Sequence, residues 1–133
     1  MQNELIYPDP DSLLRFILRG GEARVLMART TRMAQEAADI HQASDTATAA
    51  MGRVLPVCAM MGGLIKEEAG RLTVTIAGDG AGGRITCGVQ DNRLKITVEY
   101  PQAEVPPKPD GRLDVGAYVG SRGQLAVVKD YDK

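Results

Sequence analysis

The sequence predicts an α+β domain in which helices cover one face of an antiparallel β-sheet. Two observations carry the prediction. A long apolar segment, from Thr46 to Lys66, repeats its apolar residues at helical spacing. From Leu72 onward the apolar period changes to two, and turn residues separate three alternating segments. An alternating sheet has one apolar face, and the helices are the elements available to cover it.

The predicted central helix, at about 46–66, is the most apolar run in the chain. Its apolar residues recur at steps of three or four: Ala47, Ala50, Met51, Val54, Val57, Cys58, Met61 and Ile65. Ser44 and Asp45 precede it and are good N-cap residues. The uncharged part between Arg53 and Lys66 has only twelve residues, which is too short for a bilayer and typical of a buried core helix.

Pro56 lies inside this predicted helix. It removes one amide donor and crowds the carbonyl group of Gly52, four residues earlier. We therefore expect one kinked helix, with two shorter helices as the alternative.

The segments before the central helix are shorter and mixed in type. Residues 1–10 are predicted to form a polar arm, followed by a short helix, LLRFILR (13–19), capped by Asp11 and Ser12 and ended by Gly20 and Gly21. ARVLMART (23–30) alternates and predicts a strand. A helix over about 32–42 follows, capped by Thr30 or Thr31, with Met33, Ala37 and Ile40 on one side.

The second half of the chain predicts a meander of strands. Leu72, Val74 and Ile76 alternate in the first strand, Ile85, Cys87 and Val89 in the second, and Leu94, Ile96, Val98 and Tyr100 in the third. Residues 101–112 predict an irregular loop, 113–120 are ambiguous, and 124–129 predict a last strand. Because the chain stops so soon after that strand, we expect a single, incomplete domain over 1–133.

Composition narrows the possible functions. The formal net charge is −1, with 16 basic and 17 acidic residues, and the aromatic residues are one Phe and four Tyr. Nucleic-acid binders usually show a basic face with aromatic stacking residues, so we expect no nucleic-acid partner. The first residues lack the pattern of a signal peptide, and we expect no membrane association and a cytoplasmic location.

The Gly78–Gly83 loop, GDGAGG, satisfies the G-x-G-x-x-G spacing of a dinucleotide-binding loop. Such a loop needs a helix N-terminus after it, which supplies amide groups to the pyrophosphate. The residues that follow, RITCGV, alternate like a strand. A hairpin turn is the favoured interpretation, and a nucleotide- or phosphate-binding enzyme is the alternative.

Cys58 and Cys87 lie far apart in sequence on segments predicted to be core. They could form a redox pair, but the favoured interpretation is two inert core thiols. With His41, the only histidine, they do not supply the ligands of a zinc site. His41 is expected near a helix C-terminus, where the helix dipole suits it. We predict no catalytic, cofactor or metal site in this chain.

The pattern of the chain resembles the redox-regulated 33-kDa heat-shock holdase family of bacterial cytoplasmic chaperones, in its N-terminal domain. The similar stretches are SLLRFILRGGEARVLMARTT, TATAAMGRVL, RLTVTIAGDGAGGRI, LDVGAYVG and LAVVKD, which occur in the family's order over most of residues 11–130.

The resemblance implies a non-enzymatic holdase that binds unfolded or aggregation-prone proteins without ATP, and that acts as a homodimer with extended apolar surface. It also implies an oxidative switch in a C-terminal zinc module with a Cys-x-Cys and a Cys-x-x-Cys motif. Those motifs are not in this sequence, so zinc and redox control do not transfer to it. The client-binding residues stay unassigned, and a structural or interaction domain that pairs through an open sheet edge is a further alternative.

Overall fold

The structure, a computed structural model, describes residues 10–65 and 70–131. The predicted arm, for residues 1–9, and Lys66 at the end of the predicted central helix lie outside these ranges. The elements in chain order are β1 (Ser12–Ile17), β2 (Arg24–Arg29), α1 (Thr31–His41), α2 (Asp45–Gly62), β3 (Gly70–Gly78), β4 (Arg84–Gln90), β5 (Arg93–Val98), α3 (Val115–Val119) and β6 (Gly123–Tyr131). The α+β fold class is confirmed.

The main sheet has the strand order β5-β4-β3-β6 and is antiparallel throughout. β3, β4 and β5 form the predicted meander, and the β4–β5 turn uses Asp91 and Asn92 with φ angles of 51° and 59°. Alternate residues of these three strands are buried beneath α2, among them Leu72, Val74, Ile85, Cys87, Val89, Ile96 and Val98. The alternation in the sequence therefore marks the face that the helices cover.

The central helix α2 begins as predicted and continues through Pro56 without interruption. The Ser44 hydroxyl accepts a hydrogen bond from the amide of Ala47 at 3.2 Å, which satisfies one of the free donors of the first turn. Two shorter helices are therefore excluded. The assignment of Val57 to the apolar stripe is wrong, because its side chain is 48% exposed, whereas Leu55 is buried.

Helix α1 agrees with the predicted helix over 32–42, but its cap does not. Thr30 occupies the N-cap position without a capping hydrogen bond from its side chain. The Asp11 carboxylate accepts hydrogen bonds from the amides of Arg32 at 3.0 Å and Met33 at 2.7 Å. Asp11 thus caps a helix 20 residues away, because its negative charge suits the free amides of a helix N-terminus. Met33, Ala37 and Ile40 share one side of α1, as predicted, and Ile40 is 69% exposed there.

The predicted helix over 13–19 is wrong, because this segment forms strand β1. β1 pairs antiparallel with β2 in a separate two-stranded sheet. Gly20 and Gly21 have φ angles of 86° and 75° and form a hairpin turn rather than a helix end. The amide of Leu18 donates to the carbonyl of Ala23 at 2.9 Å and closes the hairpin.

The two outer strands of the main sheet differ at their free edges. The amide of Glu99 donates to the carbonyl of Arg84, so these two residues form a hydrogen-bonded pair. Hydrogen-bonded and non-hydrogen-bonded pairs alternate along an antiparallel ladder, and Ile96 falls in a non-hydrogen-bonded pair with Cys87. The carbonyl of Ile96 therefore points away from β4. The His41 imidazole meets that carbonyl with Nε2 at 3.0 Å. His41 therefore ends α1, as expected, and also occupies the middle of the β5 edge. Along β6, no strand of the described residues pairs with the side opposite β3.

The stretch from 101 to 112 is an irregular loop, as predicted, and the ambiguous segment after it forms the short helix α3. The loop is tied to the start of α2, because the Ser44 hydroxyl donates to the carbonyl of Ala103 at 2.8 Å. Asp114 caps α3 by accepting from the amide of Ala117 at 3.0 Å. Of the helices in the described ranges, none is long and apolar enough to cross a membrane.

Candidate functional site

The two-stranded sheet of β1 and β2 exposes one apolar face. Leu14 is paired with Met27 and Phe16 with Val25, and in this register all four side chains project from the same side. Leu18 lies one step further along that side. We call this surface the ribbon face; the exposed fractions of its side chains are 50% for Leu14, 47% for Phe16, 54% for Leu18, 42% for Val25 and 55% for Met27.

The opposite side of the ribbon packs on the body of the protein. Leu13, Leu26 and Ala28 are half-buried there. Leu13 lies so close to the end of α2 that a Cβ atom added at Gly63 would be 2.8 Å from Leu13 Cδ2. Because strand side chains alternate between the two sides, anchoring one side necessarily presents the other to solvent.

The helix predicted over 13–19 would not form this surface. A helix would place Leu14, Ile17 and Leu18 together, whereas the strand places Leu14 and Leu18 together with Phe16 and turns Ile17 to the other side. The period-two pattern of Leu14, Phe16 and Leu18, followed by two glycines, was the signal in the sequence that could have revealed the hairpin. Met27 of β2 is also part of the exposed face.

A second exposed apolar surface lies on β6. In the sheet register, Leu125 is paired with Ile76 and Val127 with Val74, so their side chains share the side that α2 covers on β3. Yet Leu125 is 68% exposed and Val127 is 40% exposed. The covered region therefore ends at β3, and β6 extends the apolar face of the core into solvent. We call Leu125, Val127 and Tyr131 the β6 face.

An open hollow of about 550 Å³ separates the ribbon from the main sheet. Its apolar lining includes Leu13 of β1, Met33 of α1, Ala59 of α2 and Leu94 of β5. The polar side chains at its border include Arg15. This hollow adjoins the packed side of the ribbon, and its lining also reaches Leu14 of the ribbon face.

The Gly78–Gly83 loop is a hairpin turn between β3 and β4, as the favoured interpretation expected. The residue after Gly83 begins a strand, and no helix N-terminus is available there for a phosphate group. The space above the loop is filled by α3: the amide of Gly82 donates to the carbonyl of Tyr118 at 2.8 Å, and a Cβ atom at Gly82 would overlap the Tyr118 ring. The glycines therefore permit close packing of α3 rather than contact with a nucleotide.

Asp79, within the same loop, fixes the start of β6. Its carboxylate oxygen Oδ1 accepts from the amides of Ser121 at 3.0 Å and Arg122 at 3.2 Å. Its own amide donates to the carbonyl of Arg122 at 2.9 Å. The turn position expected for Asp79 is thus also an anchor for the strand that carries the β6 face.

Cys58 and Cys87 are both free and fully buried, which agrees with the prediction of core thiols. The structure also brings them together, because the Cys58 Sγ donates to the carbonyl oxygen of Cys87 at 3.6 Å. His41 does not join them, since its ring is bonded to Ile96. Within residues 10–65 and 70–131, no group of three or more His, Cys, Asp or Glu side chains lies together in a way that could hold a metal ion.

Comparison with known proteins gives a consistent result. The family model described as Hsp33 protein matches residues 11–133. The "33 kDa chaperonin" of Clostridium botulinum strain Langeland is 36% identical over 121 residues, which are 90% of this chain and 41% of that protein. The "33 kDa chaperonin" of Microcystis aeruginosa is also 36% identical over 121 residues, which are 90% of this chain and 40% of its own length. The chain thus spans about two fifths of the length of these relatives.

A solved structure agrees with the sequence relatives. The crystal structure of the 33 kDa chaperonin (heat shock protein 33 homolog) from Thermotoga maritima superimposes with a TM-score of 0.79 at 27% identity. The match covers 87% of this chain and 40% of that one.

Proposed function

The chain belongs to the Hsp33 family, and on that basis we propose that it is a non-enzymatic chaperone that holds unfolding proteins on exposed apolar strand surfaces without ATP. The observation that carries the proposal is the ribbon face. Five large apolar side chains on one side of a hairpin are between 42% and 55% exposed. Contiguous exposed apolar surface of this kind marks interaction sites in soluble proteins.

The physical basis is burial of apolar area. An unfolding protein exposes apolar segments, and each Å² that it buries on the ribbon face is worth about 25 cal/mol. Such burial is non-directional, so it selects for apolar character rather than for a particular sequence. Met27 adds a flexible, polarizable side chain that can adapt to different clients.

The ribbon face is an open surface rather than a defined pocket. The cross-strand pairs Leu14–Met27 and Phe16–Val25 form two adjacent rows of side chains. An extended or collapsed client segment can lie across these rows without fitting a defined cavity. This arrangement suits a holdase, which needs to retain many different partners rather than orient one substrate.

We test the proposal with a chemically unfolded client diluted into buffer, following aggregation by light scattering. The decisive pair of variants is Phe16→Asp and Ile17→Asp. Both place a carboxylate on β1, at neighbouring residues that are 47% and 73% exposed in the wild type, but on opposite sides of the strand. We expect Phe16→Asp to weaken suppression of aggregation several-fold and Ile17→Asp to leave it near the wild-type level.

Two outcomes contradict the proposal at different levels. No suppression by the folded wild-type chain removes the holdase function. Equal suppression by the wild type and a folded Phe16→Asp variant removes the ribbon face as the client surface. In that case the β6 face is tested next, with Leu125→Asp against Gln124→Asp, because these neighbours also project from opposite sides of their strand.

The remaining features are proposals that rest on the resemblance to the family. They are a homodimer and a cytoplasmic location; the oxidative control of the family does not transfer, because its Cys-x-Cys and Cys-x-x-Cys motifs are not in this sequence. Sedimentation at high protein concentration tests the dimer. A monomer there would count against both the inherited dimer and pairing through the open β6 edge. Nothing in the described residues favours the nucleotide-binding alternative, because α3 fills the space above the Gly78–Gly83 loop.

A further inference from the structure

Helix α2 runs along β4 with matched contacts at two successive positions. Cys58 of α2 lies against Cys87 of β4, and Gly62 lies against Val89. Cys58 and Gly62 are four residues apart on the helix, which is a rise of about 6 Å. Their partners are two residues apart on the strand, which is about 6.8 Å. The helix and the strand therefore remain side by side over this length.

The approach of the two elements is unusually close at the second contact. A Cβ atom added at Gly62 would lie 2.6 Å from Val89 Cγ1, so only a glycine fits between α2 and β4 there. One helical turn earlier, the two facing residues are both cysteines, whose side chains are short. The close approach therefore brings two thiol groups into contact in the core rather than separating them with larger side chains.

The Cys58 thiol is held against Cys87, because its Sγ donates to the carbonyl oxygen of Cys87 at 3.6 Å. Hydrogen bonding with Cys87 lowers the pKa of Cys58 against the opposing effect of burial. Hydrogen bonding with Cys58, together with burial, raises the pKa of Cys87.

We propose that Cys58 and Cys87 form an intramolecular disulfide bond when the protein meets hydrogen peroxide, and that this bond fastens α2 to β4. In the first step the thiolate of one of the two cysteines attacks one oxygen of the peroxide, the O–O bond breaks, and a sulfenic acid and hydroxide form. In the second step the thiol sulfur of the other cysteine attacks the sulfenic sulfur. The S–O bond breaks and water leaves, carrying the proton of that second thiol.

Burial sets the rate of this reaction. Both cysteines are 0% exposed, so peroxide reaches them when α2 and the sheet separate transiently. Once formed, the disulfide bond keeps α2 and the main sheet together after the local opening in which the thiols were oxidised. This inference concerns the stability of the domain, and it is independent of the client surface proposed above.

The test is oxidation of the folded 133-residue protein with hydrogen peroxide, followed by alkylation in denaturant and intact-mass analysis. We expect the product to lose the mass of two hydrogen atoms and to take up no alkylating agent. Protease digestion should yield a linked peptide pair that contains Cys58 and Cys87, and dithiothreitol should separate it. The oxidised protein should also unfold at a higher urea concentration than the reduced protein.

Cys58→Ala and Cys87→Ala are the matched controls, and each should retain one thiol without forming the internal bond. Three results would overturn the proposal. The first is that both thiols of the folded protein can still be alkylated after a treatment that oxidises the urea-unfolded chain. The second is that disulfides form only between different molecules. The third is an internal disulfide that lowers the urea midpoint. The wild-type measurement alone separates these outcomes, so the test does not depend on the folding of the variants.

Discussion

Gly82 lies directly against the ring of Tyr118, and its missing side chain is what allows α3 to pack on the hairpin. A Cβ atom there would overlap the ring. We expect Gly82→Ala to lower the free energy of unfolding by about 1–3 kcal/mol, which is the usual cost of overpacking a filled site. Urea denaturation measures the change.

Gly116→Ala is the control for this substitution. Gly116 lies in α3 itself, where an added Cβ would meet only Asp114 Oδ1, at 3.6 Å. Alanine is also the better helix former, so this variant should be as stable as the wild type or slightly more stable. Equal stability of Gly82→Ala and the wild type would mean that α3 can move away from the loop without cost.

Tyr118 gives the stability of the protein a dependence on alkaline pH. Its side chain is 0% exposed and its hydroxyl donates to the carbonyl of Tyr100 at 3.0 Å. Burial raises the pKa of Tyr118 above its ordinary value of 10.0. The folded protein therefore holds this proton after the unfolded chain has lost it, and the free energy of unfolding falls as pH rises above about 10.

Tyr118→Phe removes that titration and also one hydrogen bond. At neutral pH the variant should be less stable by about 0.5–1.5 kcal/mol. Above pH 10 its stability should fall less steeply than that of the wild type, although the raised pKa of Tyr100 leaves some slope in both proteins. Urea midpoints measured from pH 8 to pH 11 test this, and parallel curves would contradict it.

Helix α1 depends on a carboxylate from outside the helix. Asp11 accepts hydrogen bonds from the amides of both Arg32 and Met33. Asp11→Ala should lower the free energy of unfolding by about 0.5–2 kcal/mol, the range for loss of an N-cap. The control is Glu104→Ala, which removes the same charge from an exposed loop position. If the two variants were equally stable, the Asp11 contact would contribute nothing to the helix.

The elements that were predicted correctly have long or clearly bounded local patterns. α2 has an N-cap serine and 18 residues, and β3 to β5 alternate between clear turns. LLRFILR is different, because seven residues with five apolar side chains satisfy either period. Pairing with β2 makes this segment a strand, and the segment alone does not contain that information. A short isolated helix also has little stability of its own.

The candidate site was missed for the same reason. The ribbon face exists only if β1 is a strand, since Leu14, Phe16 and Leu18 then share one side. The exposure of the β6 face was equally inaccessible to the sequence. Leu125 and Val127 alternate like core residues, and only the extent of the helix layer shows that they are exposed. The contact between Cys58 and Cys87 likewise depends on the packing of α2 on β4.

Across the whole molecule, stability should be distributed unevenly between the two sheets. β4 is central, with β3 and β5 on its two sides and α2 above it, whereas the β1–β2 ribbon has two strands and one solvent-facing apolar side. Regions with few buried contacts open at a lower free energy than the core. We expect native-state hydrogen exchange to be slowest at the amides of β4 and markedly faster in β1 and β2. Equal protection in both sheets would contradict this.

The imidazole of His41 at the β5 edge limits how copies of this protein can polymerise. A fibril that grows by strand pairing needs two open edges on every copy, one for the previous copy and one for the next. On β5, Nε2 of His41 already holds the carbonyl of Ile96, where a donor from an incoming strand would have to bind. Two copies joined through β6 would therefore present a β5 edge that is occupied at Ile96 on either side, which opposes further growth through the main sheet.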